Sequence, residues 1–409
     1  MNTFITPNWI ATDSAVGFKN SIRLIGQFDR TWDSTWENLP DGAKIGFTTQ
    51  VRIEQRWLVS EGQALQQQPI LNQTVPITIN HQFQVAHGWS SADQLLVVEE
   101  VQKRYTMPAG KAMAAKWDVV AGQEVYRNVY FQIGSPGVPL SSDQVWLDGV
   151  AKLINVAVPE EFVAVLDPKS NSRLLGANLG AFNPQNRIGE YFKTGQFAGE
   201  ALGVQEWYRD SVGVPTHTTG TFTSSTPLVD GALQTGSTLV TKGWGTYAFK
   251  AGDTFYLSGV NAVNPVSYSD TGDLQAFAIQ VDLSGSGPAT FTISPPIITS
   301  GPLQTVTASP ANNATISVVG STGTVNATLS AQTSKQSLLF NPGAFAFVMA
   351  DLPVNLPGAV AGRKNDAEAK ISMRYVDQYN IQTDQLPRRL DSIGGVATIL
   401  PYFALRAWS

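Results

Sequence analysis

Histidine and acidic side chains are the groups in this sequence that could perform acid–base or metal chemistry. The 409 residues contain three histidines and no cysteine, which leaves no thiolate nucleophile and too few ligands for a histidine-rich metal site. His81 and His87 fall on the apolar positions of a predicted strand, where a hydrogen-bonded structural histidine is expected. His217, in Val-Pro-Thr-His-Thr-Thr-Gly, has the better expected access to solvent, but no Gly-x-Ser-x-Gly nucleophile elbow precedes it.

The remaining polar patterns predict no active site. The acidic pairs at 99–100 and 160–161 are adjacent residues whose side chains point apart, unlike the facing carboxylates of a glycosidase. Asp270 and Asp273 flank Thr-Gly, which a tight turn explains as well as a bound cation does. No phosphate-binding or dinucleotide-binding glycine motif occurs between a strand and a helix. We therefore expect a non-enzyme with no catalytic residue, no cofactor and no metal.

The charge balance excludes a protein that wraps nucleic acid through a basic face. Lys and Arg number 27 against 32 Asp and Glu, a net charge of −5, and only 14% of residues are charged. Phosphate-gripping proteins need many basic contacts, and a typical chain has about 25% charged residues. No run of 18 apolar residues and no signal-like N-terminus occurs. We expect a soluble, non-secreted protein with an unusually neutral surface.

Two runs of alternating apolar and polar residues predict one long β-hairpin over 43–89. Apolar residues alternate from Ile45 to Ile53, and apolar or histidine residues occupy most odd positions from Val75 to Trp89. Arms of about 13 to 15 residues would span about 45 Å, which is more than a compact domain needs. The hairpin must therefore lie along a larger sheet of its own chain or project and be covered by another subunit, and the pattern alone leaves both open.

The rest of the chain predicts an α+β host with a β-rich insert. Residues 1–40 favour an extended arm over a packed helix, whereas helices are predicted near 107–130, 142–156 and 168–177. After Pro215 charged residues become sparse, and short strand-like runs alternate with turns up to about Ser334. This pattern of short strands and turns is typical of a small all-β barrel or sandwich.

Three C-terminal segments carry a family resemblance. They are Phe340-Asn-Pro-Gly-Ala-Phe-Ala-Phe-Val-Met-Ala-Asp-Leu352, Ile371-Ser-Met-Arg-Tyr-Val-Asp-Gln-Tyr-Asn-Ile381 and Arg389-Leu-Asp-Ser-Ile-Gly-Gly395. In order and spacing they resemble the major capsid proteins of tailed double-stranded-DNA bacteriophages, specifically podophage-type coat proteins. Four earlier segments are similar to the same family: Val158-Pro-Glu-Glu-Phe-Val-Ala-Val-Leu-Asp-Pro168, Val214-Pro-Thr-His-Thr-Thr-Gly220, Lys250-Ala-Gly-Asp-Thr-Phe-Tyr-Leu-Ser-Gly-Val260 and Ile293-Ser-Pro-Pro-Ile297.

The resemblance implies the Hong Kong 97-like capsid fold, an α+β fold with an inserted all-β barrel domain. Its parts would be an N-terminal arm, an extended loop, a peripheral domain with the spine helix, an apical domain, the insert, and a return to the apical domain with C-terminal peripheral strands. Their expected bounds are 1–40, 41–90, 91–139, 140–215, 216–337 and 338–409.

The implied function is structural: many copies assemble as hexamers and pentamers into an icosahedral shell around double-stranded DNA, without sequence-specific binding. The shell would form in the bacterial host cytoplasm and belong to the virion. Portal and scaffolding proteins and a decoration protein are the implied partners, and no membrane is involved. The alternative is a receptor- or carbohydrate-binding β-rich protein, with a β-rich hydrolase as a third possibility.

The resemblance also implies roles for two groups of residues. The apolar face of the extended loop would be buried on a neighbouring subunit, and a segment of the insert would direct its folding. The expected inter-subunit contacts are Trp57, Leu65, Ile70, Val75, Ile77 and Phe83, and the expected folding residues are Lys250, Asp253, Phe255 and Val260. Some relatives cross-link a loop lysine, but 61–73 contains no lysine, so we expect a non-covalent shell.

Overall fold

The computed structural model describes most of the chain as two compact units. Unit one comprises Met1–Val51, Thr74–Ala121 and Phe345–Ala397, and unit two comprises Arg52–Gln73, Gly122–Ala344 and Thr398–Ser409. The described residues are 7–32, 47–63, 65–90, 102–179, 195, 200–223, 226–320, 329–366 and 370–409.

The described part holds four α-helices and 22 strands. The helices are α1 (Pro7–Lys19), α2 (Met107–Val125), α3 (Asp143–Asn155) and α4 (Pro168–Leu179). The strands are β1 (Thr48–Arg52), β2 (Thr74–Thr78), β3 (His81–Ser90), β4 (Phe131–Ile133), β5 (Val163–Leu166), β6 (Glu206–Arg209), β7 (Thr216–Thr218), β8 (Thr221–Phe222), β9 (Leu228–Val229), β10 (Gly236–Lys242), β11 (Thr246–Phe249), β12 (Thr254–Val263), β13 (Asp270–Ile279), β14 (Leu283–Ser286), β15 (Ala289–Ile297), β16 (Ile316–Val318), β17 (Thr333–Phe340), β18 (Phe345–Ala350), β19 (Val360–Asp366), β20 (Ile371–Asp377), β21 (Gln385–Thr398) and β22 (Ala404–Trp408). The predicted helices and the strand-rich segment are confirmed.

Unit one is built around Trp117 of α2, which is completely buried. Its indole Nε1 donates to the Ser392 hydroxyl at 2.8 Å, which satisfies the only polar atom of the ring. The ring packs edge-on against Phe83 and Phe347, with centroids 4.6 and 5.2 Å away. The sheet beneath runs β18-β21-β20-β19, and β3 pairs along β21. One aromatic residue therefore joins the long helix to three strands.

The N-terminal segment differs from the prediction. Residues 7–19 form helix α1, which packs on β19 and β20, whereas an extended arm was expected over 1–40. A Cβ on Gly17 would lie 2.7 Å from the Met107 carbonyl oxygen, so the backbone of α1 touches that of the long helix. Asp118 then accepts the backbone N–H groups of Arg23 and Ile25, each at 3.0 Å. The prediction of an extended arm rested on Trp32 and Trp36 and the polar residues around them. Residues 33–40 lie outside the described residues.

The predicted long hairpin is also wrong in its pairing. β1 and β2 form a separate two-stranded sheet of five residues a side, and β3 instead pairs antiparallel with β21 from His81 to Ser90. The alternation from 75 to 87 is real, because the odd positions of both strands are less exposed than the even ones. An alternating pattern shows which side chains are covered but not which strand lies alongside, so the change of partner near Asn80 left no trace in it.

The first part of unit two is a six-stranded mixed sheet with helices α3 and α4. The order is β4-β22-β17-β5-β6, and β7 pairs with β17. Trp146 of α3 is fully buried and lies edge-on to Trp207 at 5.3 Å, in a core that continues through Phe162 and Leu405. The four-residue strand β5 is buried throughout, as expected for a strand in the interior of a covered sheet.

The second part of unit two is β-rich and has its own aromatic core. One sheet runs β16-β12-β13-β15-β10-β9 and another β14-β11-β8. Their apolar faces share a cluster around Trp244, Phe249 and Phe291, whose ring centroids lie 4.8 to 5.4 Å apart. The segment is entered and left through adjacent strands, because β7 and the start of β17 pair antiparallel.

Candidate interaction loop and buried junction

The segment 53–73 is an excursion between β1 and β2, called the interaction loop below. Its described residues form no helix or strand. Five large apolar side chains in it are exposed: Leu71 at 36% and, more strongly, Trp57 at 54%, Val59 at 97%, Leu65 at 85% and Ile70 at 73%. Exposed apolar side chains that form a contiguous patch are a common feature of protein interaction sites. Three of the predicted contact residues are therefore accessible.

Two glutamine side chains hold the limbs of the interaction loop together. Gln55 donates to the Pro69 carbonyl at 3.0 Å and accepts the Leu71 N–H at 3.1 Å. Gln68 accepts the Leu58 N–H at 3.0 Å and donates to the Leu58 carbonyl. Each amide supplies the donor and acceptor that a facing strand would otherwise supply, across a wider gap. The loop thus keeps a defined shape while its apolar groups remain in solvent.

The other three predicted contact residues are already packed within the chain. Ile77 is 0% exposed, Val75 is half-buried, and the half-buried Phe83 lies against Trp117. Ile77 is therefore corrected to a core residue of unit one. Phe83 and Val75 are only half-buried, so their roles as inter-subunit contacts stay predictions. Alternation identified the apolar face of these strands correctly, but it could not show that the same chain covers it.

A buried junction, centred on Asp253, lies at the start of β12. The Asp253 side chain is 2% exposed. Its carboxylate accepts the backbone N–H of Lys250 at 2.8 Å, the backbone N–H of Gly220 at 3.0 Å and the Nε2 of His217 at 2.8 Å. One side chain thereby joins the 250–253 turn to the strand by which the chain enters the β-rich segment.

His217 is part of this junction and is not accessible. Its side chain is 2% exposed, and its second ring nitrogen, Nδ1, is 3.0 Å from the Tyr126 hydroxyl. The ring also lies edge-on to Trp408 at 5.6 Å. The expected solvent access of His217 is therefore wrong, because both of its nitrogens are hydrogen-bonded inside the protein. The geometry gives this histidine a structural role.

Arg406 completes the junction, although no sequence pattern points to it. The residue is 0% exposed, its Nη1 donates to the Gly252 carbonyl at 2.8 Å, and its guanidinium lies 5.8 and 5.6 Å from the ring centroids of Tyr126 and Trp408. Burial lowers the pKa of Arg406 to about 10, so the group stays charged at neutral pH. A single arginine in the apolar run Ala-Leu-Arg-Ala-Trp gives no sequence signal, because its partners come from distant segments.

The predicted folding residues of the insert take different positions. Phe255 and Val260 are 1% and 0% exposed in the β-rich core. The Lys250 ammonium is exposed and pairs with Asp282 at 3.0 Å, and only its backbone N–H reaches Asp253. The structure therefore gives three of the four predicted residues interior positions.

The acidic turn near Asp270 is explained by hydrogen bonds within the chain. The Asp270 carboxylate accepts from the Asn261 amide at 2.9 Å and the Gly272 N–H at 2.8 Å, and these bonds lower the pKa of Asp270. Within the described ranges, no cluster of three or more histidine or acidic side chains could hold a metal ion. No described helix combines the length and hydropathy needed to cross a bilayer.

Comparison with known proteins gives matches among solved structures alone. No family model matches the chain, and no curated protein does. The similar solved structures include phage capsids. A structure from Mycobacterium phage Che8 is 10% identical, covers 94% of this chain and 90% of that chain, and has a TM-score of 0.45. The mature capsid of bacteriophage PhiM1 is 8% identical over 89% of this chain and 82% of that chain, with a TM-score of 0.41. The CUS-3 coat protein I-domain is 25% identical over 24% of this chain and 98% of that chain, with a TM-score of 0.18.

Proposed function

We propose that this protein is the major capsid protein of a tailed double-stranded-DNA bacteriophage and assembles into an icosahedral shell. The proposal assigns it no enzymatic activity. Its copies would form hexamers and pentamers in the cytoplasm of the bacterial host, with portal and scaffolding proteins, and a decoration protein, as further partners. The DNA would be enclosed without sequence-specific contacts.

The observation that carries the proposal is the interaction loop. It is held in shape by Gln55 and Gln68, yet it presents Val59, Leu65 and Ile70 to solvent. An isolated subunit gains nothing from ordering an apolar projection, since exposing each large apolar side chain forgoes about 1.5 to 3 kcal/mol of burial energy. The arrangement is favourable when a second copy covers the loop, as it would in a closed shell.

Three further features support the proposal. The family-like segment 371–381 begins with strand β20, and the segment 389–395 lies within strand β21. Both strands belong to the sheet of unit one. The adjacent entry and exit strands of 216–337 suit an inserted β-barrel domain, because insertion is tolerated where the two chain ends lie close together. The low proportion of charged residues also reduces repulsion between identical copies.

Electron microscopy and light scattering of the purified protein test the proposal. We expect closed shells tens of nanometres across. Monomers or small oligomers with affinity for glycans would instead favour the receptor- or carbohydrate-binding alternative.

A matched pair of variants tests the role of the loop. The double variant Val59→Asp, Leu65→Asp changes two side chains that are exposed in the subunit, so we expect a folded, soluble protein that forms no shells. The control, Leu233→Asp, changes an 81% exposed leucine of the β-rich segment and should still assemble. Normal shells from the double variant, or loss of shells in both proteins, would contradict the assignment of the contact to the loop.

A further inference from the structure

A cavity of about 230 Å³ in unit two lies at the base of the interaction loop. Ile53, Arg56 and Gln73 line it on the loop side, and Pro296 and Leu303 line it on the side of the β-rich segment. Cavities of roughly 150 Å³ with apolar walls hold a benzene molecule in other proteins. The space is therefore large enough for one small organic molecule.

The lining combines rigid apolar walls with a single charged group. Four prolines contribute to it, and Arg56 is the one charged residue among those that line the cavity. The Arg56 guanidinium lies 4.8 Å from the centroid of the Tyr402 ring, a cation–π contact that fixes its position and covers one face while its N–H edges stay available. No carboxylate in the lining neutralises this charge.

A second hydrogen-bonding group in the lining is the Tyr130 hydroxyl. Tyr130 lines the cavity, and no residue that the structure describes accepts its hydroxyl proton. Burial raises the pKa of Tyr130, so the phenol remains a neutral hydrogen-bond donor. The other polar lining residues, Gln73, Gln275, Ser294, Gln304 and Thr305, are neutral, and the rest of the lining is mainly apolar. A single cation in such a lining complements an organic acid with an apolar body.

We infer that this cavity binds a small apolar carboxylate, such as an aromatic or branched aliphatic acid, whose carboxylate pairs with Arg56. The apolar body would lie against Pro296 and Leu303. The bound acid would contact both the base of the interaction loop and the β-rich segment, and would restrict the movement of the loop relative to that segment. The inference concerns the subunit and holds whether or not the protein forms shells.

Isothermal titration of the full-length unassembled protein with 2-naphthoate and with 2-naphthalenemethanol tests the inference. These probes share one apolar body and differ in charge. We expect naphthoate to bind about tenfold more tightly than the alcohol, the lower range of the effect of a charge-assisted hydrogen bond. Equal affinities, or no detectable binding of naphthoate at millimolar concentration, would overturn it.

Three variants localise the binding. Arg56→Met keeps an apolar side chain of similar length and should remove the preference for naphthoate while leaving the alcohol within about threefold. Arg52→Met removes an exposed cation of the neighbouring strand that does not line the cavity, so its affinities should equal those of the wild type. Leu303→Trp fills the cavity and should abolish binding of both probes. Far-UV circular dichroism checks that each variant is folded, and unchanged naphthoate binding by folded Arg56→Met would overturn the assignment.

Discussion

Replacing Asp253 by alanine should destabilise the β-rich segment far more than any surface change nearby. The side chain is 2% exposed and accepts hydrogen bonds from Lys250, Gly220 and His217. Alanine leaves all three donors inside the protein without an acceptor. It also removes a negative charge that stabilises the charged form of the buried Arg406: burial lowers the pKa of Arg406, and the Asp253 charge partly opposes this.

The magnitude follows from the three lost bonds. A buried donor left without a partner costs about 1 to 3 kcal/mol, and some donors regain partial bonds when the structure relaxes. The total is about 4 kcal/mol. Native stabilities are about 5 to 15 kcal/mol. The variant should therefore fold in low yield or unfold at a much lower denaturant concentration.

The matched control is Asp282→Ala, because the Asp282 carboxylate also bonds to the 250–253 turn but is exposed to solvent. Its side chain is 60% exposed, accepts the Ala251 N–H at 2.8 Å and pairs with the Lys250 ammonium at 3.0 Å. Exposed pairs contribute at most about 1 kcal/mol. Urea unfolding of the unassembled protein, followed by tryptophan fluorescence and circular dichroism, compares the two. Equal midpoints for Asp253→Ala and Asp282→Ala would refute the reasoning.

Three further predictions concern other parts of the chain. Gly395→Ala should abolish soluble expression, because a Cβ there would overlap the Thr78 carbonyl oxygen, whereas Gly176→Ala, where a Cβ meets open space, should express normally. Hydrogen bonds from Ala251 and Lys250 lower the pKa of Asp282, so the ionised side chain contributes stability above pH 3.8 that is lost as the pH falls through the folded-state pKa. The stability of Asp282→Asn should therefore depend less steeply on pH in acid unfolding than that of the wild type, and identical curves would contradict this. Deleting 60–72 should leave a folded subunit that forms no shells, and normal assembly of the deletion variant would count against this. Because that segment lacks lysine, the wild-type shell should run as monomers on a denaturing gel, and covalent multimers would count against a non-covalent shell.

The sequence predicted individual elements well and their partners poorly. Helices α2, α3 and α4 and most strands of the β-rich segment lie where periodicity and turn residues placed them. The hairpin and the N-terminal arm were mispredicted, because strand pairing and helix docking depend on residues far away in the chain. β3 pairs with β21, almost 300 positions later, and α1 docks on β19 and β20, also remote in sequence.

The candidate sites divide in the same way. The apolar character of Trp57, Leu65 and Ile70 was visible in the sequence, but their exposure, and the burial of Ile77, were decided by packing. The family-like motif containing Asp253 was also visible in the sequence. Its partners were not, and neither was Arg406.

By itself, the sequence determined which side chains are apolar, where the chain turns and that few residues are charged. These properties follow from local composition and period. The tertiary structure alone decided which apolar faces are covered within the subunit and which remain for another molecule. It also placed His217, Asp253 and Arg406 in one buried junction. The physical reason is that burial and hydrogen-bond satisfaction are properties of three-dimensional neighbours, and those neighbours come from segments between which the sequence shows no pattern.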